Sequence, residues 1–175
     1  MFIKIFNKIL KVYRKLFWSV EKIAKYNGVK IGKNCDIQEV NFGSEPYLIS
    51  IGDNVQITHG TKIFTHGGAR VLRGKYPQMD FFGKVIIKDN VYIGNNCLIM
   101  PGVTIGSNVI VAAGSVVAKS VSDNVVIGGN PAKVLSSLDD FEKKVIEKNV
   151  GSKFMSRNEK KEFLLSLPEE RFIKK

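Results

Sequence analysis

Two histidines, His59 and His66, are the side chains of this sequence best suited to moving a proton near neutral pH. They stand seven residues apart in Ile57-Thr-His-Gly-Thr-Lys-Ile-Phe-Thr-His-Gly-Gly. An imidazole that takes the proton of a hydroxyl is best served by a partner that orients it. Asp53, Asn54, Asp80 or a backbone carbonyl can each supply that partner, and spacing does not choose among them. His66 closes a regular stretch and opens an irregular one from Gly67 to Lys84, whereas His59 falls two residues after Ile57 and reads as a turn residue. The two cysteines, Cys35 and Cys97, form neither a disulfide framework nor a paired metal motif, and a reducing, cytoplasmic setting follows. Two histidines are also too few for a three-histidine zinc site, so a metal-dependent hydratase is not expected.

The elements around these histidines follow a period of six. Every sixth residue from Ile87 is aliphatic: Ile87, Ile93, Ile99, Ile105, Val111 and Val117. Two residues earlier stand Val85, Val91, Cys97, Val103, Val109 and Ser115, while Asn90, Asn96, Gly102, Asn108 and Gly114 recur between the pairs. The same phase appears at Ile51, Ile57 and Ile63, and again at Ile31 and Ile37, with two interruptions between the blocks. A helix of 3.6 residues per turn cannot hold such a stripe on one face. Strands of two or three residues joined by sharp turns can, by closing a three-sided coil of about 18 residues whose stripe points inward. The spacing predicts a mainly β fold, a parallel β-helix over residues 29–135 with an inserted loop at 67–84. Periodicity leaves its handedness open.

Val91-Tyr-Ile-Gly-Asn-Asn, Pro101-Gly-Val-Thr-Ile-Gly, Ala113-Gly-Ser-Val-Val and Gly129-Asn-Pro-Ala-Lys-Val resemble the hexapeptide-repeat acyltransferases, in the branch of maltose, galactoside and capsule-sugar O-acetyltransferases. The resemblance spans roughly residues 29–135. It implies a left-handed β-helix, a homotrimer, and acetyl-CoA held as acyl donor between subunits, with no metal. It assigns the general base to the Thr-His motif at His66 and the oxyanion-binding backbone N–H to Asn95. Tyr92 matches a position, often Trp, beside the acceptor or pantetheine channel. Ala113 and Gly114 match backbone contacts to the pantetheine arm. Ala118 stands where a threonine is common, and Lys119 and Lys133 match basic positions near the nucleotide phosphates. Capsule-sugar relatives often carry Asp directly after the histidine, where this chain has Gly67. The implied acceptor is a sugar, nucleotide sugar or lipid-linked sugar of a surface polysaccharide. Alternatives are N-acetylation or xenobiotic acetylation on the same fold and, from another class, a non-catalytic trimeric scaffold or membrane-binding protein.

The 175 residues carry a formal charge of +11, which raises nucleic-acid binding as a rival. The excess is terminal. Residues 1–28 hold seven basic side chains against one acidic, whereas residues 29–134 hold ten against seven and no aromatic-rich basic strand face. Ile5, Ile9, Val12, Leu16, Val20 and Ile23 follow a helical spacing opposite a lysine face, predicting one amphipathic helix over residues 2–26. Its expected role is to cap the open end of the coil, with peripheral contact to the inner face of a membrane as the secondary expectation. The uncharged run from Asn90 to Ala118 is too rich in Asn, Gly and Pro for a membrane span, and no export signal is visible. Residues 136–175 lose the period and predict a C-terminal extension of two short helices, parted near Gly151.

Overall fold

Short strands at a six-residue spacing stack because each leaves its backbone groups pairing with the turn above and the turn below. The computed structural model describes Leu10, residues 12–14 and residues 16–174. Among these the chain winds into a left-handed parallel β-helix with three faces. One face stacks β1 (Lys30–Ile31), β3 (Ile49–Ile51), β6 (Val85–Ile87) and β9 (Thr104–Ile105). The second stacks β2 (Asp36–Ile37), β4 (Gln56–Ile57), β7 (Val91–Ile93), β10 (Val109–Val111) and β12 (Val125–Gly129). The third stacks β5 (Lys62–Ile63), β8 (Leu98–Ile99) and β11 (Val116–Val117). Neighbours are parallel with the stripe in register, as in Ile51↔Ile87, Ile57↔Ile93 and Ile63↔Ile99.

The aliphatic stripe is the core. Ile57, Ile63, Ile93, Ile99, Ile105 and Val111 are fully buried, and the residues two places earlier join them. The two polar members of that second set are satisfied internally. Thr61 Oγ1 donates to Gly94 O at 3.1 Å, and Ser115 Oγ donates to Ala112 O at 2.6 Å while accepting from Gly129 N at 3.2 Å. One corner carries a line of asparagines in the left-handed conformation, which Asn tolerates better than other side-chain-bearing residues. Asn54, Asn90, Asn108 and Asn124 pass one side-chain amide bond to the next at 2.6 to 2.9 Å.

Both interruptions of the period leave the coil at one corner, between the third face and the first. Residues 42–48 depart after Asn41, which bridges Lys62, and residues 64–84 depart after β5, one turn above. The bottom of the coil is covered by α1 (Val20–Tyr26), whose Ala24 is buried in the core cluster with Val20 packed against it. The single helix expected over residues 2–26 is interrupted. Residues 12–14 and 16–17 are helical, the chain bends at Trp18, and α1 begins afresh because Ser19 turns extended and accepts Lys22 N at 3.2 Å. Residues 1–9, 11 and 15 lie outside the described set. At the top, β12 pairs with an antiparallel strand, β13 (Ala132–Ser137).

Residues 139–175 form a separate compact unit. It contains most of α2 (Leu138–Ile146) and α3 (Arg157–Ser166), the latter started by a capping box between Ser156 and Glu159. No described helix is long and apolar enough to cross a membrane.

Candidate active site

Glu45 belongs to the first departure from the coil and His66 to the foot of the second. Asn41 Oδ1 accepts Gly43 N at 2.8 Å, which tightens the first turn, and Glu45 then precedes the short 3-10 helix Pro46–Leu48. One turn above, Phe64 N still pairs with Ile99 O at 2.9 Å, so Thr65 and His66 leave the sheet from a fixed point. Stacking brings the two departures together. His66 Nδ1 lies 2.9 Å from Glu45 Oε2, and the buried Thr65 hydroxyl donates to the same oxygen at 2.7 Å.

The Thr65 hydroxyl first, and then His66, hold the Glu45 carboxyl below the usual glutamate range, with partial desolvation working the other way. Glu45 is thus a carboxylate at neutral pH and accepts only. The shared proton therefore sits on His66 Nδ1, and in the neutral ring Nε2 keeps its lone pair for a ligand. Asp53, Asn54 and Asp80, the side chains that sequence offered as partners, are engaged elsewhere. Asp53 Oδ1 accepts Lys33 N at 2.7 Å, Asn54 belongs to the asparagine line, and Asp80 faces Phe81 N and Arg73. Glu45 went unnoticed in the sequence because only the register of two separate interruptions reveals it.

The second departure folds back on itself. His66 and Phe82 form an antiparallel bridge, Gly83 N donates to Thr65 O at 2.8 Å, and residues Ala69–Leu72 make a 3-10 turn. A pocket of about 350 Å³ results, lined by Glu45 and His66, by Gly67 and Gly68, and by the charged side chains of Arg70, Arg73 and Asp80. Gly67 occupies the place of the expected aspartate for a steric reason. A Cβ there would come within 2.0 Å of the Phe81 ring.

His59 also finds a carboxylate, Glu39, at 3.2 Å, but the two side chains are 64% and 79% exposed, against 44% and 16% for His66 and Glu45. A pair so open to water is weakly held and screened. Cys97 is buried, its thiol raised above the ordinary range by desolvation and directed at Ala112 O, and it takes no part.

The remaining sequence-derived residues fall on other parts of the prism. Ala118 and Lys119 follow β11 and share the corner of His66. Asn95, Ala113 and Gly114 lie on the next corner, across the third face, where Gly114 N donates to Asn95 O at 2.7 Å and Asn96 N to His59 O at 3.0 Å. Gly94 is required there, since a Cβ would meet Ala113 N at 2.5 Å. Tyr92 is exposed at the middle of the second face between Gln56 and Ile110, and Lys133 stands on β13 opposite Gly128. One chain thus presents His66 and Asn95 on two different corners. Among the described residues, no group of three or more His, Cys, Asp or Glu side chains converges on a common point.

Known proteins resemble this chain. Residues 84–119 match the family model described as bacterial transferase hexapeptide (six repeats). The chain is 50% identical over 167 residues to Protein CapG of Staphylococcus aureus, covering 93% of this chain and 94% of that one. It is 37% identical over 101 residues to galactoside O-acetyltransferase of Escherichia coli strain K12, covering 57% of this chain and about half, 49%, of that protein. Among solved structures, a maltose O-acetyltransferase from Clostridium difficile 630 superposes with a TM-score of 0.60 at 25% identity, covering 75% of this chain and 83% of that one. The hexapeptide-repeat acetyltransferase VCA0836 from Vibrio cholerae gives 0.56 at 33% identity over 63% of each chain. With its stacked coils and these relatives, the chain belongs to the hexapeptide-repeat transferases and is an acyltransferase.

Proposed function

We propose that the protein transfers an acetyl group from acetyl-CoA to a hydroxyl of a sugar destined for a surface polysaccharide, with His66 as general base. The observation that carries this reading is the 2.9 Å contact between His66 Nδ1 and Glu45, at the rim of a pocket sized for a monosaccharide. Glu45 fixes the ring and its tautomer, so Nε2 faces the acceptor hydroxyl. As the hydroxyl oxygen attacks the thioester carbonyl, Nε2 takes its proton, and the carbonyl oxygen becomes an oxyanion that the Asn95 N–H stabilises. Collapse expels the CoA sulfur, to which the imidazolium returns the proton. The products are the sugar ester and CoA, and no metal takes part.

In this reading the enzyme is a homotrimer. His66 and Asn95 occupy corners on either side of one face, which favours a reaction cleft built from His66 of one subunit and the Asn95 corner of its neighbour. Tyr92, Ala113, Gly114 and Ala118 would line the pantetheine channel, and Lys119 and Lys133 the phosphates. The test is thiol release from acetyl-CoA across neutral, acidic and amino sugars. His66→Ala should lower turnover on the best acceptor about 10²- to 10⁴-fold. Near-parental turnover would overturn the assignment of the base.

A further inference from the structure

We infer that the acceptor is an acidic sugar, carrying a carboxylate or phosphate, and that Arg70 recognises that charge. This rests on the transferase reading above and narrows it. The charges around the pocket do not cancel in space. Glu45 has both its proton donors in place, Thr65 and His66. Asp80 accepts Phe81 N through Oδ1 at 3.1 Å and lies 3.9 Å from Arg73 through Oδ2. Arg73 is tied further by Nε to Met79 O at 3.1 Å. Arg70, one turn earlier on the same 3-10 segment and lining the same pocket, has no carboxylate paired with it among the described residues.

A cation lining the pocket of the base, with no carboxylate paired to it among the described residues, leaves a field there that a neutral hexose does not use. A guanidinium presents a planar fork that matches a carboxylate or phosphate edge with two parallel hydrogen bonds. The neighbouring Arg73 already has a carboxylate beside it, Asp80 at 3.9 Å, and its Nε–H is held by Met79 O. The glycines Gly67 and Gly68 bring backbone rather than side chain against the sugar, so the acid group is the feature of the acceptor that the pocket grips.

The experiment uses the full chain. Thiol release and equilibrium binding are measured with galacturonic acid, galactose 1-phosphate and galactose, on the parental enzyme, Arg70→Gln and Arg70→Lys. The parental enzyme is expected to bind at least one acidic sugar about tenfold more tightly than galactose. Arg70→Gln should abolish that preference, raising KM and weakening binding for the acidic sugar far more than for galactose, and Arg70→Lys should restore part of it. The two acids separate a carboxylate from a phosphate requirement. Equal binding of all three sugars by the parental enzyme would overturn the inference, as would an equal loss on acidic and neutral sugars in Arg70→Gln. If no sugar releases thiol while Arg70-dependent binding of the acid persists, the transferase reading fails and the anion site stands.

Discussion

His66 has one nitrogen committed and one free, and most of the chemistry follows from that division. Glu45→Gln keeps the shape of the partner but offers an amide in place of a carboxylate, so the ring loses its fixed tautomer. Turnover should fall roughly tenfold or more, with KM for acetyl-CoA little altered. The carboxylate also makes a pH signature. Its folded value is depressed, so its contribution to stability is present above the unfolded value of 4.5 and is lost as pH falls through the folded one. In melting experiments Glu45→Gln should therefore lie below the parental protein at neutral pH, and the gap should narrow through the acid range below about 4.5. A gap independent of pH would mean that the Thr65 and His66 contacts do not hold the carboxylate. At this scale the sequence was half legible. His66 declared itself by type and place, but Glu45 did not, because 21 residues part the pair and only the stacked turns bring them together.

The elements are short, and each depends on the turn beneath it. Ile99 sits at the centre of the stripe with no exposure. Ile99→Ala should cost about 2–5 kcal/mol of unfolding free energy in a denaturant titration, since the coil cannot close on the void. A change below about 1 kcal/mol would argue that the stripe is loosely packed. The second departure is held differently, by the bridge from His66 to Phe82 and the Phe81 ring over Gly67. Gly67→Asp should push that ring aside, leave the melting temperature within a few degrees of parental, and cut turnover by displacing the pocket wall. The coil was readable because six residues fix one face and one turn, a signal repeated too often to arise by chance. The break before α1 was not, because the apolar spacing of residues 2–26 runs through Ser19 without a flaw. Only the capping geometry of that serine interrupts it.

On the scale of the whole molecule, the coil separates what the chemistry must join. If the reaction cleft is shared between subunits, two defects on opposite corners can be complemented. Ala113→Trp should block its corner and His66→Ala removes the base, so each alone should be inactive. Co-expressed at equal levels, they should regain about a quarter of parental turnover, the fraction of clefts built from two intact corners in a cyclic assembly. No recovery would point to a cleft within one chain, and sedimentation of a monomer would remove the premise. The corner positions were legible from the six-residue register. The assembly was suggested only by resemblance, because an exposed corner reads the same whether a neighbour covers it or not.

The asparagine line along the corner from the first face to the second bears on how the protein ages. Each of Asn54, Asn90, Asn108 and Asn124 is followed by valine, whose branched Cβ crowds the next peptide nitrogen and slows its attack on the side-chain amide. Deamidation at Asn54, Asn90 or Asn108 would swap an amide donor for a carboxylate facing its neighbour's oxygen, unzipping the line from that rung. These four amides thus stand where spontaneous hydrolysis is slow.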